Sequence, residues 1–216
     1  VYESCWAPAG KTVPSLASLW TGREPLEHGA VTHMTVMQGG SFAEELRADG
    51  YRSFARCANA SVVEAYGIHR GFEDYARRPK GQEPRVGSDL LALAESALAA
   101  GEPLLLWAHF MAPHQPYAPP PPHDGWAEPD GPEGSNEVLY GYHLDPASAD
   151  PAAVGQMQGL YDGELQYVSA LVRDFLAGLD RRYREAGRGG LLENAVVVFT
   201  SDHGESLGDD HNGRQH

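Results

Sequence analysis

Apolar positions along this chain fall into two patterns. Leu90, Leu91, Leu93 and Leu98 recur at the spacing of one helix face, and so do Met157, Leu160, Tyr161, Val168, Leu171, Val172, Phe175 and Leu179. The spacing predicts helices over residues 88–100 and 157–179. Elsewhere the apolar residues are contiguous, as in PLLLWAHF at 103–110 and AVVVFT at 195–200. Unbroken runs of that length suit strands covered on both faces. Turn chemistry places the other elements. Residues 12–22 read as a short helix, with Thr12 suited to its cap, Pro14 to its first turn and Gly22 to its end. Residues 41–49 read as a helix with an acidic first turn, closed by Gly50, and 51–57 as a strand. From Met111 to about Pro151 the chain turns rich in Pro, Gly and Asp, and a loop of that length is a functional lid or rim. Residues 187–190 break the long helix.

Alternating strands and helices predict an α/β domain built on a mainly parallel sheet flanked by helices. At 216 residues the chain has the size of one large domain, with no internal repeat and no clean boundary. No apolar run approaches the roughly 20 residues of a membrane helix. With 16 basic against 30 acidic residues the net charge is -14, which speaks against a nucleic-acid partner. An anionic substrate stays open, because a bound divalent metal reverses the field of a site. Cys5 and Cys57 imply no disulfide framework; Cys57 ends a strand-like run and reads as a small buried hydrophobe. The chain opens on Val1 and closes inside a polar cluster, so it is expected to be a piece of a longer protein, and its compartment is left open.

Three polar clusters stand at the edges of core elements. The first is Gly10-Lys11-Thr12-Val13-Pro14-Ser15. A hydroxyl at a helix start meets backbone N–H groups and the positive end of the dipole, which favour an anionic oxygen; the plainer role for Thr12 is a helix cap. A phosphate-binding P-loop is excluded, since Cys5 stands where its first glycine is required. The second cluster, His109-Phe110-Met111-Ala112-Pro113-His114-Gln115-Pro116-Tyr117, leaves the apolar strand with two histidines among prolines. The third is Asp202-His203-Gly204-Glu205, followed by Asp209, Asp210, His211 and His216. Adjacent Asp and His after a buried strand offer a hard oxygen and an imidazole to a divalent ion, and strand C-termini are where open α/β sheets bind ligands.

In this order the clusters resemble the sulfatase family of the alkaline phosphatase superfamily. The resemblance rests on TVPSLASLWTGREPLEHG at 12–29, LRADGYRS at 46–53, GIHRGFEDY at 67–75, LLLWAHFMAPHQPYAPP at 104–120, YDGELQYV at 161–168 and VVVFTSDHGESLGDDH at 196–211. It implies an alkaline-phosphatase-like three-layer sandwich, with residues 1–216 forming a partial catalytic domain. It also implies a hydrolase of sulfate or phosphate esters that uses one divalent metal ion (Mg, Mn, Ca or Zn). In the family a nucleophile opens the helix, and Thr12 holds that position. Asp202 and His203 fall on metal ligands. His114 falls on a histidine that contacts the transferred group or the leaving oxygen. His211 and His216 lie near another histidine of that kind, with Asp210 disturbing the register. Lys11 is placed to favour the Thr12 alkoxide.

Two departures sharpen the expectation. Sulfatases convert a Cys or Ser to formylglycine within Cys-x-Pro-Ser-Arg, whereas here Thr12 replaces the Cys and Leu16 the Arg. Threonine cannot make that conversion, and Cys5 lacks the Arg four residues on. The nucleophile therefore favours phosphoryl over sulfuryl transfer. The family's first strand, with an acidic pair that completes the metal site, is expected upstream; Glu3 is the sole carboxylate before Thr12. Alone, this piece is expected to bind metal poorly and to be inactive. The alternatives are a phosphoalcohol transferase and an inactive binding protein of the same fold.

Overall fold

Three parallel strands, β1 (Arg52–Cys57), β2 (Asp74–Arg77) and β3 (Leu104–His109), form a sheet in the order β2-β1-β3 in the computed structural model. Residues 5–128, 131, 150–205 and 207 are described. They divide into two compact units, one of residues 1–110 and 172–204 and one of 111–171 and 205–216. The sheet lies in the first. Cys57 pairs with Arg77 on one side and His109 on the other, so the three strands end together at one edge.

Alternation along β1 sorts its two faces. Ala55 and Cys57 share a core with Val13, Leu16 and Trp20 of helix α1 (Thr12–Thr21), joined by Leu105 and Trp107 from β3. Trp20 lies 5.0 Å from the Phe42 ring in a stack and meets Trp107 and Phe72 edge-on at 5.1 and 5.3 Å. Aromatic pairs in these arrangements add roughly 0.5–1.5 kcal/mol each beyond their burial. On the opposite face lies Arg56, buried, 2.8 Å from Asp74 and 3.7 Å from Asp89. Asp89 belongs to helix α4 (Pro84–Ala99), which packs on β1 and β3. Gly87 and Leu91 of α4 in turn meet Phe175 and Gly178 of helix α5 (Pro151–Glu185). Helices on both faces of a parallel sheet meet the expected fold class.

The short elements obey local chemistry. Helix α2 (Pro25–His28) starts on Pro25 and ends on Gly29. Ser41 caps helix α3 (Phe42–Ala48) in a reciprocal box with Glu44. The stretch GIHRGF is held against that helix. Ser53 donates to the Gly71 carbonyl at 2.7 Å, and a Cβ on Gly71 (φ +91°) would overlap the backbone of Ala43 and Glu44.

In the second unit, Tyr117 and Met157 form a small core with Leu160, Tyr161 and Leu207. Proline-rich chain from 118 to 128 lies along the first part of α5. Gln156 bonds both backbone groups of Glu128 at 2.8 and 2.9 Å, and Glu164 accepts from the Ala118 N–H at 2.9 Å. Among the described residues no helix is long and apolar enough to cross a membrane.

Several elements differ from expectation. α4 begins at Pro84 rather than 88, because Val86 and Gly87 are buried as part of its packed face. α5 extends past 157–179 at both ends. β2 carries no apolar run and comes from pairing with β1. Helix α6 (Leu191–Asn194) follows the Gly187 and Gly189 turns. The expected buried strand over 195–200 is not formed: Val196 is 93% and Phe199 75% exposed. An apolar run supplies side chains for a sheet, but a strand exists only where a neighbour completes its ladder.

Gly71→Ala is expected to lower stability by about 3 kcal/mol or more, since strain and overlap combine. Gly50→Ala, also at positive φ (+87°) but in open space, is expected to lose only about 1–2 kcal/mol. Urea midpoints of the two variants provide the comparison.

Candidate active site

Thr12 is the first residue inside α1, and Lys11 holds the cap position in an extended conformation (φ -143°, ψ 141°) with no side-chain capping bond. The expected capping role of Thr12 is therefore not realised, because a residue already in the helix directs its hydroxyl away from the first-turn N–H groups. That hydroxyl is buried and lies 3.3 Å from His203 Nε2. Lys11 extends into solvent one residue away.

His203 Nδ1 sits 2.9 Å from the carbonyl of Gly204. A carbonyl only accepts, so Nδ1 carries the proton, and in the neutral ring Nε2 presents a lone pair. The Thr12 hydroxyl is then the donor to Nε2. Asp202 Oδ2 is also close to Nε2, at 3.5 Å. Ser15, buried on the same helix, donates to the backbone carbonyl of Asp202. Residues separated by 191 positions thus meet at the first turn of α1.

A carboxylate oxygen, an imidazole lone pair and a hydroxyl oxygen spaced in this way suit part of the shell of one divalent cation. Ligands about 2 Å from an ion lie roughly 3 Å from one another. The imidazole has the ordinary outer arrangement of a ligating histidine, with its other N–H on a backbone carbonyl. Among the described residues no group of three or more His, Cys, Asp or Glu is assembled for a metal, so Asp202 and His203 form an incomplete donor set.

Cys57, at the end of β1, is fully buried; burial pushes its thiol up to about 12, with a smaller upward contribution from the Asp202 charge. A thiol held protonated is no nucleophile, and the expectation of a small buried hydrophobe stands. Cys5 is exposed.

His114 belongs to the second unit, where its Nδ1 lies 2.7 Å from the Gln115 carbonyl, again leaving the Nε2 lone pair in the neutral ring. In the same unit Tyr117 donates to Glu205 at 2.8 Å. Burial first, and the Glu205 charge second, hold that hydroxyl far above its ordinary range. His211 and His216 lie outside the described residues.

Three polar contacts have no counterpart in the sequence reading: Ser15 to Asp202, Tyr117 to Glu205, and Ser18 to His28. The i, i+3 spacing of Thr12 and Ser15 is a visible hint of the first. The other two have no local signal. His28 is fully buried; its Nδ1 accepts from the Ala30 N–H at 3.1 Å, and its Nε2 lies 2.9 Å from Ser18 Oγ. That leaves Nε2–H to donate, and the ring is neutral. Burial pushes its pKa below 6.5.

A parallel sheet between helices, with Asp, His and Thr gathered at a helix start, defines an α/β protein with a carboxylate, an imidazole and a hydroxyl at one place. The sulfatase family model matches residues 1–216, and the chain belongs to the sulfatase family. A comparison with curated proteins finds no match. Among solved structures, BT4656 in complex with its substrate D-glucosamine-2-N,6-O-disulfate is similar, with a TM-score of 0.65 at 15% identity over 98% of this chain and 59% of that one. The phosphonate monoester hydrolase SpPMH from Silicibacter pomeroyi gives a TM-score of 0.60 at 16% identity over 93% of this chain and 55% of its own. The lipoteichoic acid synthase LtaP from Listeria monocytogenes gives 0.52 at 14% identity, over 82% and 41%. The chain thus spans between about two-fifths and three-fifths of the length of these structures.

The buried neutral His28 makes stability depend on pH in a stated direction. Below 6.5 the unfolded chain takes up a proton that the folded one resists, so stability falls as pH drops from 6.5 toward the lower folded value and is fully present above 6.5. Urea midpoints from pH 8 to pH 5 are expected to decline more steeply for the wild type than for His28→Gln, which has no imidazole to protonate.

Proposed function

We propose that the protein is a metal-dependent ester hydrolase that uses Thr12 as its nucleophile and favours phosphoryl over sulfuryl esters. The observation that carries this reading is the buried Thr12 hydroxyl, 3.3 Å from a histidine nitrogen that bears no proton in its neutral form. A threonine serving only as helix cap has no reason to hold that contact.

In this reading Asp202 and His203 contribute a carboxylate oxygen and Nε2 to a divalent ion, Mg, Mn, Ca or Zn. When bound, the ion supplies Lewis acidity: it lowers the pKa of a nearby hydroxyl and neutralises charge on the ester oxygens. The remaining roles belong to the chain. Thr12 Oγ attacks phosphorus and forms the new P–O bond as the alcohol departs; water then releases the phosphoryl group from Thr12. Developing charge on the transferred group sits at the positive end of α1, and Lys11 adds to that field. The resemblance to sulfatases gives His114 a role toward the transferred group or the leaving oxygen, and His211 and His216 roles as further substrate contacts. The substrate is an anionic ester. Phosphoryl preference follows from Thr12, which cannot be oxidised to the aldehyde that sulfatases form from Cys or Ser.

The test uses the full-length protein with nitrophenyl phosphate, a nitrophenyl phosphodiester and nitrophenyl sulfate. Both phosphorus substrates are expected to turn over faster than the sulfate. Thr12→Ser keeps a hydroxyl and is expected to retain appreciable activity, whereas Thr12→Ala and Thr12→Asn drop by about 1,000-fold or more. Because Lys11 occupies the cap position, Thr12→Ala is expected to stay within about 1 kcal/mol of wild-type stability. An active Thr12→Ala enzyme rejects Thr12 as the nucleophile. Asp202→Ala is expected to abolish metal binding and turnover together, as read by calorimetry and rate.

A further inference from the structure

We infer that Ser15 is a positioning residue, whose hydroxyl holds the Asp202–His203 pair against the start of α1 in the geometry a divalent cation requires. The inference rests on the proposed roles of Thr12, Asp202 and His203 and assigns Ser15 a part in that site.

The segment leading to Asp202 has little to hold it. Residues 195–200 pair with no strand, and Val196, Val198 and Phe199 are exposed. Among the described residues, apart from the bond between the adjacent Thr200 and Ser201, residues 201–204 are tied to the rest of the first unit by two hydrogen bonds. Both reach α1: one from Ser15 Oγ to the Asp202 carbonyl, the other between Thr12 Oγ1 and His203 Nε2. The second has to be given up if His203 Nε2 is turned over to a cation. The Ser15 bond ends on a backbone carbonyl that no metal needs, so it persists in either state.

Ser15 is also built for this role. It stands three residues after Thr12 on a helix whose Val13, Leu16, Ala17 and Trp20 are buried in the sheet core, so its position is rigid. A serine inside a helix ordinarily bonds back to the carbonyl of the preceding turn. Here that carbonyl, Lys11 O, receives the Ser15 backbone N–H at 3.2 Å, and the hydroxyl is given to Asp202. The bond fixes the peptide on which the Asp202 carboxylate and the His203 ring are both mounted. Losing it frees both donors at once, and the cation is then met by a mobile pair rather than a set one. Supporting contacts around metal ligands commonly contribute 10- to 100-fold in affinity; this one acts through the backbone, and the lower end of that range is expected.

The test measures Mn2+ affinity by titration calorimetry, kcat and KM for the preferred nitrophenyl ester, and thermal melting without metal. It is applied to the full-length protein and its Ser15→Ala, Ser15→Thr, Ser15→Cys and Asp202→Ala variants. Ser15→Ala is expected to weaken Mn2+ binding about 10-fold and to lower kcat more than it raises KM, with the metal-free melting curve little changed. Ser15→Thr restores the donor and is expected to recover affinity to within about 3-fold. Ser15→Cys preserves size with a weak donor and is expected to resemble Ala, which keeps the test decisive if the Ala variant melts early. Wild-type Mn2+ affinity in folded Ser15→Ala or Ser15→Cys, with Asp202→Ala devoid of binding, overturns the role of Ser15 while leaving the metal site intact. Unchanged Mn2+ affinity in Asp202→Ala overturns the metal site itself.

Discussion

The seating of α1 on the sheet is the constraint on which the rest of the first unit depends. Val13, Leu16, Ala17 and Trp20 recur at i, i+3, i+4 and i+7 and are all buried. Trp20 closes the contact by meeting Phe42, Phe72 and Trp107, which come from a helix, a loop and a strand. With that face locked, rotation of α1 about its axis is forbidden, and Thr12 and Ser15 on its flank have fixed directions. Such rigidity is what the proposed nucleophilic role of Thr12 requires, because a displacement of about 1 Å is enough to lose two orders of magnitude in rate.

Two buried polar side chains of this unit, Arg56 and His28, are answered in different ways. The Arg56 guanidinium lies between Asp74 and Asp89, and Arg78 also reaches Asp89, so β1, β2 and α4 share one ion cluster. Removing a single partner from such a cluster leaves an uncompensated charge and is strongly destabilising. His28 is answered without charge, with both ring nitrogens satisfied in the neutral state. Asp202 and His203 differ: their lone-pair atoms face one another at 3.5 Å, with Thr12 at 3.3 Å from the ring nitrogen. A carboxylate, an imidazole nitrogen and a hydroxyl so close together are the arrangement from which the proposed metal site is argued.

The similar solved structures share the fold at 14–16% identity and comprise a protein bound to a disulfated sugar, a phosphonate monoester hydrolase and a lipoteichoic acid synthase. One fold can carry different chemistries, because the residues placed on it decide the reaction. In the proposed reading the discriminating residue of this chain is Thr12, which carries a hydroxyl and cannot be oxidised to the aldehyde that sulfatases form.

What the sequence by itself determined is short-range. Gly22 ends α1 in the left-handed conformation, Ser41 with Glu44 starts α3, and the apolar run before His109 forms β3 at its expected place. Each signal lies within a few residues of the element it controls. The order of the motifs identified the family and put forward Thr12, Asp202 and His203 as candidate site residues. Only the tertiary structure decided that Lys11 rather than Thr12 holds the cap position, that Asp74–Arg77 is a strand, and that the valines of 195–200 are not. It also decided that Ser15 meets Asp202 and that Ser18 meets His28. These outcomes share a cause. A ladder or a side-chain contact is made by two segments at once, and the energy that fixes it belongs to neither segment alone.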